Sequence, residues 1–245
     1  MTRRALVGIS AAAVLFLLST LFSLRHFRLA TLSPAALALK HINAPPAWAD
    51  DCSRLLRTAR ETIRESGQRP LRNTAPLSAD EIAVYRAILQ QWNSNARTLL
   101  NLSNRTFPLD ATSSTSNISD CECLKGMEVQ SLVSASHSFH TLTRDVFPER
   151  NIRLVNANKQ VTTIQNNDPN NWIGRGKSVE SAVNDAFATG LFSMSEIAFD
   201  REHRRALVSH RFVCGSLCGS GGAWLFEKVD GVWKKTDRTC GGWIS

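Results

Sequence analysis

Three polar side chains near the C-terminal end of the sequence, His210, Ser216 and Ser220, share one stretch with two cysteines and four glycines. From Cys214 to Gly222 it runs C-G-S-L-C-G-S-G-G, which reads as a glycine-rich loop held between two cysteines. Such a loop exposes backbone N–H groups beside small hydroxyls, and groups of that kind bind the polar atoms of a ligand where they converge. His210, Ser216 and Ser220 are therefore the candidate binding residues. The cysteines have a chemistry of their own. Cys214 and Cys218 lie four apart across a glycine-containing turn, within reach of the ~4.4–6.8 Å Cα separation of a disulfide. The full set is Cys52, Cys121, Cys123, Cys214, Cys218 and Cys240, and six cysteines allow fifteen pairings. Cys52 would meet one of Cys121, Cys123 or Cys240, whereas a Cys121–Cys123 bridge would close a small, labile ring.

Catalytic and metal chemistry fit less well. Leu132-Val133-Ser134-Ala135-Ser136-His137 resembles the histidine segment of trypsin-like proteases, and Cys218-Gly219-Ser220-Gly221-Gly222 their nucleophile segment. Gly219 stands where the acid beside the serine is expected, and the double β-barrel that supports such a triad does not suit a chain with this much helical patterning. An envelope hydrolase using Ser220 or a histidine is the alternative reading, and no residue is assigned a catalytic role. Cys121 and Cys123 with His137 and His140, or Cys214 and Cys218 with His210, could ligate zinc, but neither set has the usual spacing of two close pairs. Thiolate ligands must also stay reduced. No metal and no cofactor is assigned. The two-residue spacing of redox-enzyme cysteine pairs is missing, which argues against a thiol–disulfide oxidoreductase.

The elements around the loop are β-hairpins. Ser195–Phe199 and Arg205–Val213 are rich in β-branched and aromatic residues, with Asp200-Arg201-Glu202-His203 as the turn between them. Ala223–Lys228 and Val232–Lys235 flank Val229-Asp230-Gly231, whose Asp-Gly pair tolerates positive φ. Trp224, Trp233 and Trp243 read as packing anchors. Upstream, Asp50 and Asp51 open a helix with Cys52, Leu55, Leu56, Ala59 and Ile63 on one face and Arg54, Arg57, Arg60 and Arg64 on another. Ser78-Ala79-Asp80-Glu81 is a capping box for a helix whose apolar side carries Ile82, Val84, Tyr85, Ile88, Leu89 and Trp92. The middle predicts a strand over 99–106, a Ser/Thr/Asn-rich loop over 110–120, a helix over 128–146, a strand over 161–165, a loop over 166–171 and a helix over 178–189 stopped by Gly190. The fold class is α+β, with amphipathic helices packed on a C-terminal antiparallel β-meander.

Charge and hydropathy divide the chain. Residues 1–72 carry eleven Lys and Arg against four Asp and Glu, and residues 73–245 carry eighteen against seventeen. A nearly neutral folded part excludes a basic nucleic-acid surface. Residues 5–24 contain no charge, enough to span a ~30 Å bilayer core as a helix. The distance to any small-x-small cleavage site favours an uncleaved anchor over a cleaved signal peptide. Residues 1–28 are thus a membrane anchor or signal segment, 29–50 a Pro/Ala-rich linker, and 51–245 a single domain. The membrane, through residues 5–24, is the one partner assigned. Half of the six cysteines lie in the last thirty-two residues, which suits an oxidising, extracytoplasmic compartment such as a periplasm or cell envelope.

The segments Tyr85–Leu89, Ser195–Phe199, Arg205–Val208, Cys214–Gly221, Phe226–Trp233 and Trp243–Ser245 together resemble a family of uncharacterised bacterial secreted or envelope-anchored proteins. The match covers about a fifth of the chain, chiefly C-G-x-L-C-G-x-G followed by E-K-x-D-G-x-W and a terminal W-I-S. It implies export and carries no established activity. This chain departs from lipid-anchored members in having no cysteine just after its apolar segment. The resulting expectation is a non-catalytic extracytoplasmic binding domain.

Overall fold

The computed structural model describes residues 47–65, 72–73, 76–93, 99–111, 121–149 and 151–245. The apolar segment 5–24 lies outside them, as do the linker up to residue 46 and most of the loop over 110–120. The linker ends earlier than residue 50, because α1 (Ala47–Glu65) already includes those positions. Among the described residues no helix is long and apolar enough to cross a membrane.

The capping box forms as the sequence implies. The Ser78 hydroxyl accepts from the Glu81 N–H at 3.2 Å, and the Glu81 carboxylate accepts from the Ser78 N–H at 2.7 Å. Two N–H groups that the helix cannot satisfy internally are thereby paired. After β1 (Arg72–Asn73), the box starts α2 (Ala79–Asn93). Next come β2 (Leu100–Ser103), a short 3-10 helix (Cys121–Leu124), α3 (Val129–His137), β3 (Ser138–Phe139) and β4 (Ile152–Val155). Three helices follow: α4 (Ala157–Asn166), α5 (Pro169–Ile173) and α6 (Val179–Thr189). The chain ends in β5 (Leu191–Phe199), β6 (Arg205–Gly215), β7 (Cys218–Val229) and β8 (Val232–Ile244).

The last four strands form the antiparallel meander, but they are only part of a six-stranded mixed sheet ordered β4-β2-β5-β6-β7-β8. The short strands β2 and β4 pair in parallel, and β2 pairs in parallel with β5. That makes β5 an interior strand, and Leu191 to Ala198 are buried without interruption. A strand covered on both faces has no polar alternation to display.

Helices cover both faces. On one, Val84, Tyr85 and Ile88 of α2 and Ala186 of α6 pack with Phe192, Val208, Phe212 and Phe226. On the other, Cys52 and Ala59 of α1 and Leu132 and Ala135 of α3 pack with Leu207, Ala223 and Leu225. The two cores follow the period of two along β6 and β7. α1 keeps Arg54, Arg57, Arg60 and Arg64 exposed, as the helical wheel implies.

Four expectations change. Residues 161–165 are helical within α4: Asn156 accepts from the Lys159 N–H at 3.1 Å, and Gln160 and Ile164, four apart, are buried. The cap and that pair outweigh the β-propensity of Val161-Thr162-Thr163. The helix expected over 128–146 ends at His137, where Ser138 enters a two-residue parallel pair with β1. Within 166–171, Asp168 accepts from the Asn170 N–H at 2.9 Å and starts α5 on Pro169. The fourth change concerns the glycine-rich loop. Only the turn at Gly215–Cys218 is loop; Gly219 to Gly222 are inside β7, paired with Val213 to His210 on β6. They are glycines for lack of room, since a Cβ on Gly221 would stand 2.6 Å from the Trp243 indole nitrogen and one on Gly222 2.7 Å from the Gly241 carbonyl.

The hairpin turns hold. Asp230 and Gly231 both take positive φ, at 53° and 79°, the primed turn that suits strand twist. Ser178 caps α6 by accepting from the Ser181 N–H at 3.3 Å, and Gly190 ends it.

Candidate functional site

The turn between β6 and β7 is held by three links. A Cys214–Cys218 disulfide closes it, with Cα atoms 5.1 Å apart. From α5, the Asp168 carboxylate accepts from the Ser216 N–H at 2.6 Å, and the Asn170 side-chain amide donates to the Ser216 hydroxyl at 3.0 Å. Burial raises the Asp168 pKa, but the hydrogen bonds from Ser216 and Asn170 outweigh it and hold the carboxyl below its ordinary value. Two clefts open beside this fixed turn.

The first, of about 480 Å³, lies between the turn and the helices. Trp92 of α2, Ile173 of α5, Val183 and Phe187 of α6, Phe212 of β6 and Leu217 of the turn line it. Phe187, Leu217 and Ile244 are exposed by 55%, 72% and 89%. The second, of about 500 Å³, is lined by His210, Ser220, Gly222, Trp224, Gly242 and Trp243 among others. Ser220 and Ile244 line both clefts, so the two are contiguous.

His210 sits among aromatic rings, with centroids 4.0 Å from Trp224, 5.7 Å from Trp92 and 6.0 Å from Phe192. It is 6% exposed, and its Nδ1 has no hydrogen-bond partner among the described residues. Lys235 reaches toward the same place from β8. Its ammonium lies 5.3 Å from the Trp224 ring centroid, donates to the Thr236 carbonyl at 3.2 Å, and is paired with no carboxylate among the described residues. Burial, and then the charge of Lys235, push the His210 pKa down from 6.5 to about 4. The imidazole is neutral at pH 7.

That displacement has a consequence for stability. Between about 4 and 6.5 the unfolded chain binds the proton and the folded chain does not, so stability rises with pH across this window. At about 1.4 kcal/mol per pH unit, acidification from pH 7 to pH 4 costs the fold about 3 kcal/mol through this group. His210→Phe removes the group, so the stability lost between the two pH values should shrink by about that amount. Chemical denaturation of both proteins at pH 7 and pH 4 measures it. Equal losses would mean that His210 carries its proton in the fold.

Of the three residues singled out from sequence, the structure brings His210 and Ser220 to one cleft. Ser216 is not with them; it is exposed on the turn and tied to α5. His210 and Ser220 are not hydrogen-bonded to each other, and the unpartnered Nδ1 has no acid to orient the ring. His137 ends α3, which packs on the opposite face of the sheet, and its Nδ1 lies 2.9 Å from both the Ser136 hydroxyl and the Val133 carbonyl. The protease-like pairing is therefore absent from the fold. The thiolate sets fail as well. Cys123 is bridged to Cys240 and Cys214 to Cys218, and Cys52 is also disulfide-bonded. The expected clip at Cys214–Cys218 forms, and the Cys123–Cys240 bridge rules out the strained Cys121–Cys123 ring.

Sequence reasoning missed a second polar cluster. The His140 Nδ1 lies 3.0 Å and 3.1 Å from the two Glu196 carboxylate oxygens, and the Thr106 hydroxyl and, at 3.2 Å, the Ser138 hydroxyl donate to the same carboxylate. Glu81 stands 3.9 Å from the other His140 nitrogen. Tyr85 donates to the Ser195 carbonyl at 2.9 Å. Burial, and then the negative charges of Glu196 and Glu81, raise the Tyr85 pKa well above its ordinary value. His140 and Glu196 are 6% and 3% exposed, and no member of the cluster lines either cleft. It joins the start of α2 to β3 and β5. The sequence signal was a carboxylate, Glu196, inside a strand whose other residues are apolar or serine. No protein-family model, curated protein or solved structure matches this chain, so its function is read from the geometry of the two clefts.

Proposed function

We propose that the domain is a non-catalytic, extracytoplasmic binding module that receives the apolar part of a small ligand in the first cleft. The observation that carries this is the exposure of Phe187, Leu217 and Ile244 around one concavity. Leaving a large apolar side chain in water forgoes about 1.5–3 kcal/mol each. A cleft of about 480 Å³ also falls within the range of about 300–1,000 Å³ common to small-molecule sites. The disulfides suit an oxidising compartment. A fixed turn supports the same reading, because a rim held by a disulfide and by Asp168 orders little on binding.

The test uses the full chain in nanodiscs whose scaffold lacks tryptophan, with bromododecanol as a neutral, apolar, heavy-atom quencher. Trp92 lines the cleft, so saturable quenching of tryptophan fluorescence reports occupancy. Replacing Phe187 and Leu217 together by serine is expected to weaken binding by at least about tenfold, the effect of about 1.4 kcal/mol. Unchanged quenching in that variant would remove the cleft as the site. The hydrolase reading is weaker, because nothing in the cleft activates Ser220.

A further inference from the structure

Both clefts are walled by uncharged side chains. Among the described residues, no Asp, Glu, Lys or Arg lines either one. Lys235 stands opposite Phe226, six residues along β7 from Ser220, and belongs to neither wall. The floor of the second cleft is glycine. Gly222 pairs with Gly242 across β7 and β8, and Gly221 and Gly241 border the same space. Trp224 lies on one side of this floor, and Ser220 with its partner Ile244 on the other, where the first cleft begins. Building on the apolar-cleft reading above, we infer that the ligand is a neutral, hydroxyl-rich amphiphile of the alkyl glycoside kind, with its tail among Ile173, Phe187 and Leu217 and its sugar ring on the glycine floor between Trp224 and Ser220.

The head group follows from what the lining offers. A charged head would give up water for a wall that holds no counter-charge, and a charge is the costliest group to desolvate unpaired. His210, the one ionisable side chain lining the second cleft, is itself neutral at pH 7. The backbone adds an acceptor. A bulge sets Cys240 and Gly241 of β8 against Ala223 alone, and Gly241, at φ 106°, turns its carbonyl oxygen to within 2.7 Å of where a Cβ on Gly222 would stand. Bulges re-aim groups in this way beside binding sites. A carboxylate has no proton to donate to that carbonyl, whereas a sugar hydroxyl has one. The Ser220 hydroxyl makes no hydrogen bond among the described residues and can serve as donor or acceptor to a second hydroxyl. A pyranose also has C–H groups on its faces, which suit a floor without side chains and an indole at its edge. A plain alcohol would leave most of a cleft of about 500 Å³ to water.

The experiment compares three ligands with one bromododecyl tail: the β-glucoside, the alcohol and the carboxylate. Each is titrated by tryptophan quenching into the full chain in the same nanodiscs, with empty discs as the blank and affinity expressed against free concentration. The glucoside is expected to bind at least about tenfold more tightly than the alcohol, the effect of about 1.4 kcal/mol, and the carboxylate no more tightly than the alcohol. Trp224→Leu is expected to bring the glucoside down to the affinity of the alcohol, and the alcohol's own binding to this variant reports an intact first cleft. Ser220→Ala, at a half-buried position, leaves the packing in place and is expected to weaken the glucoside severalfold. Equal affinities of glucoside and alcohol in the wild type, or a carboxylate that binds more tightly than the alcohol, would overturn the sugar assignment and leave the apolar cleft standing. A preference for the glucoside that survives both substitutions would do the same. Failure of all three compounds to quench would remove the cleft and the head-group site together.

Discussion

Replacing Cys123 and Cys240 together by alanine is expected to lower the unfolding free energy by about 5 kcal/mol at 25 °C, against about 2 kcal/mol for the same change at Cys214 and Cys218. The contrast comes from the length of chain each bridge closes. Cys123 and Cys240 are 117 residues apart, and Cys214 and Cys218 only four. A cross-link removes more freedom from the unfolded chain as the loop lengthens. The long bridge also joins two fully buried sulfurs, pinning the 3-10 helix at Cys121–Leu124 to β8 beneath α1. Denaturant unfolding followed by tryptophan fluorescence would measure both losses. Equal losses would mean that the long bridge constrains nothing that the sheet does not already constrain.

The legible parts of this fold were those where a local rule and the tertiary contacts agree. Ser78 and Glu81 form their box, Asp230-Gly231 its turn, and Ser178 and Gly190 bound their helix. Cys52 and the arginines of α1 fall on the faces the wheel assigns. The parallel part of the sheet was illegible for a physical reason. The strand expected over 99–106 forms as β2, but β4 has only four residues, too few to show a period, and the two find each other only through a long connection. The α4 segment misled because Val161-Thr162-Thr163 prefer strands, while the capping Asn156 and the burial of Gln160 and Ile164 act only once the helix has docked.

The site was half legible for the same kind of reason. His210 and Ser220 line one cleft because β6 and β7, joined by a tight turn, bring such residues close. The glycines were misread as loop because composition alone cannot separate a flexible segment from a strand crossed by a tryptophan. Trp243 lies over Gly219 and Gly221, and only the fold reveals it. Trp92 comes from an element far along the chain, and a tryptophan does not mark a site by itself.

Glu196→Leu is expected to cost about 3–5 kcal/mol, the usual effect of breaking a buried pair by removing one member. The individual donors explain why. The Thr106 hydroxyl has the His140 carbonyl as a second acceptor at 3.4 Å, and the Ser138 hydroxyl already donates to the Ser134 carbonyl at 2.7 Å. The buried imidazole of His140 loses both of its contacts to the Glu196 carboxylate oxygens, at 3.0 Å and 3.1 Å, and keeps Glu81 at 3.9 Å from its other nitrogen. If that is the source of the loss, the double variant His140→Phe/Glu196→Leu should recover most of it, because two apolar groups of similar shape can replace a buried polar pair at little net cost. A double-mutant cycle on unfolding free energy tests this. A double variant as unstable as the sum of the singles would instead mean that each side chain contributes through its own packing. Recovery would assign the cluster a structural role at the base of α2.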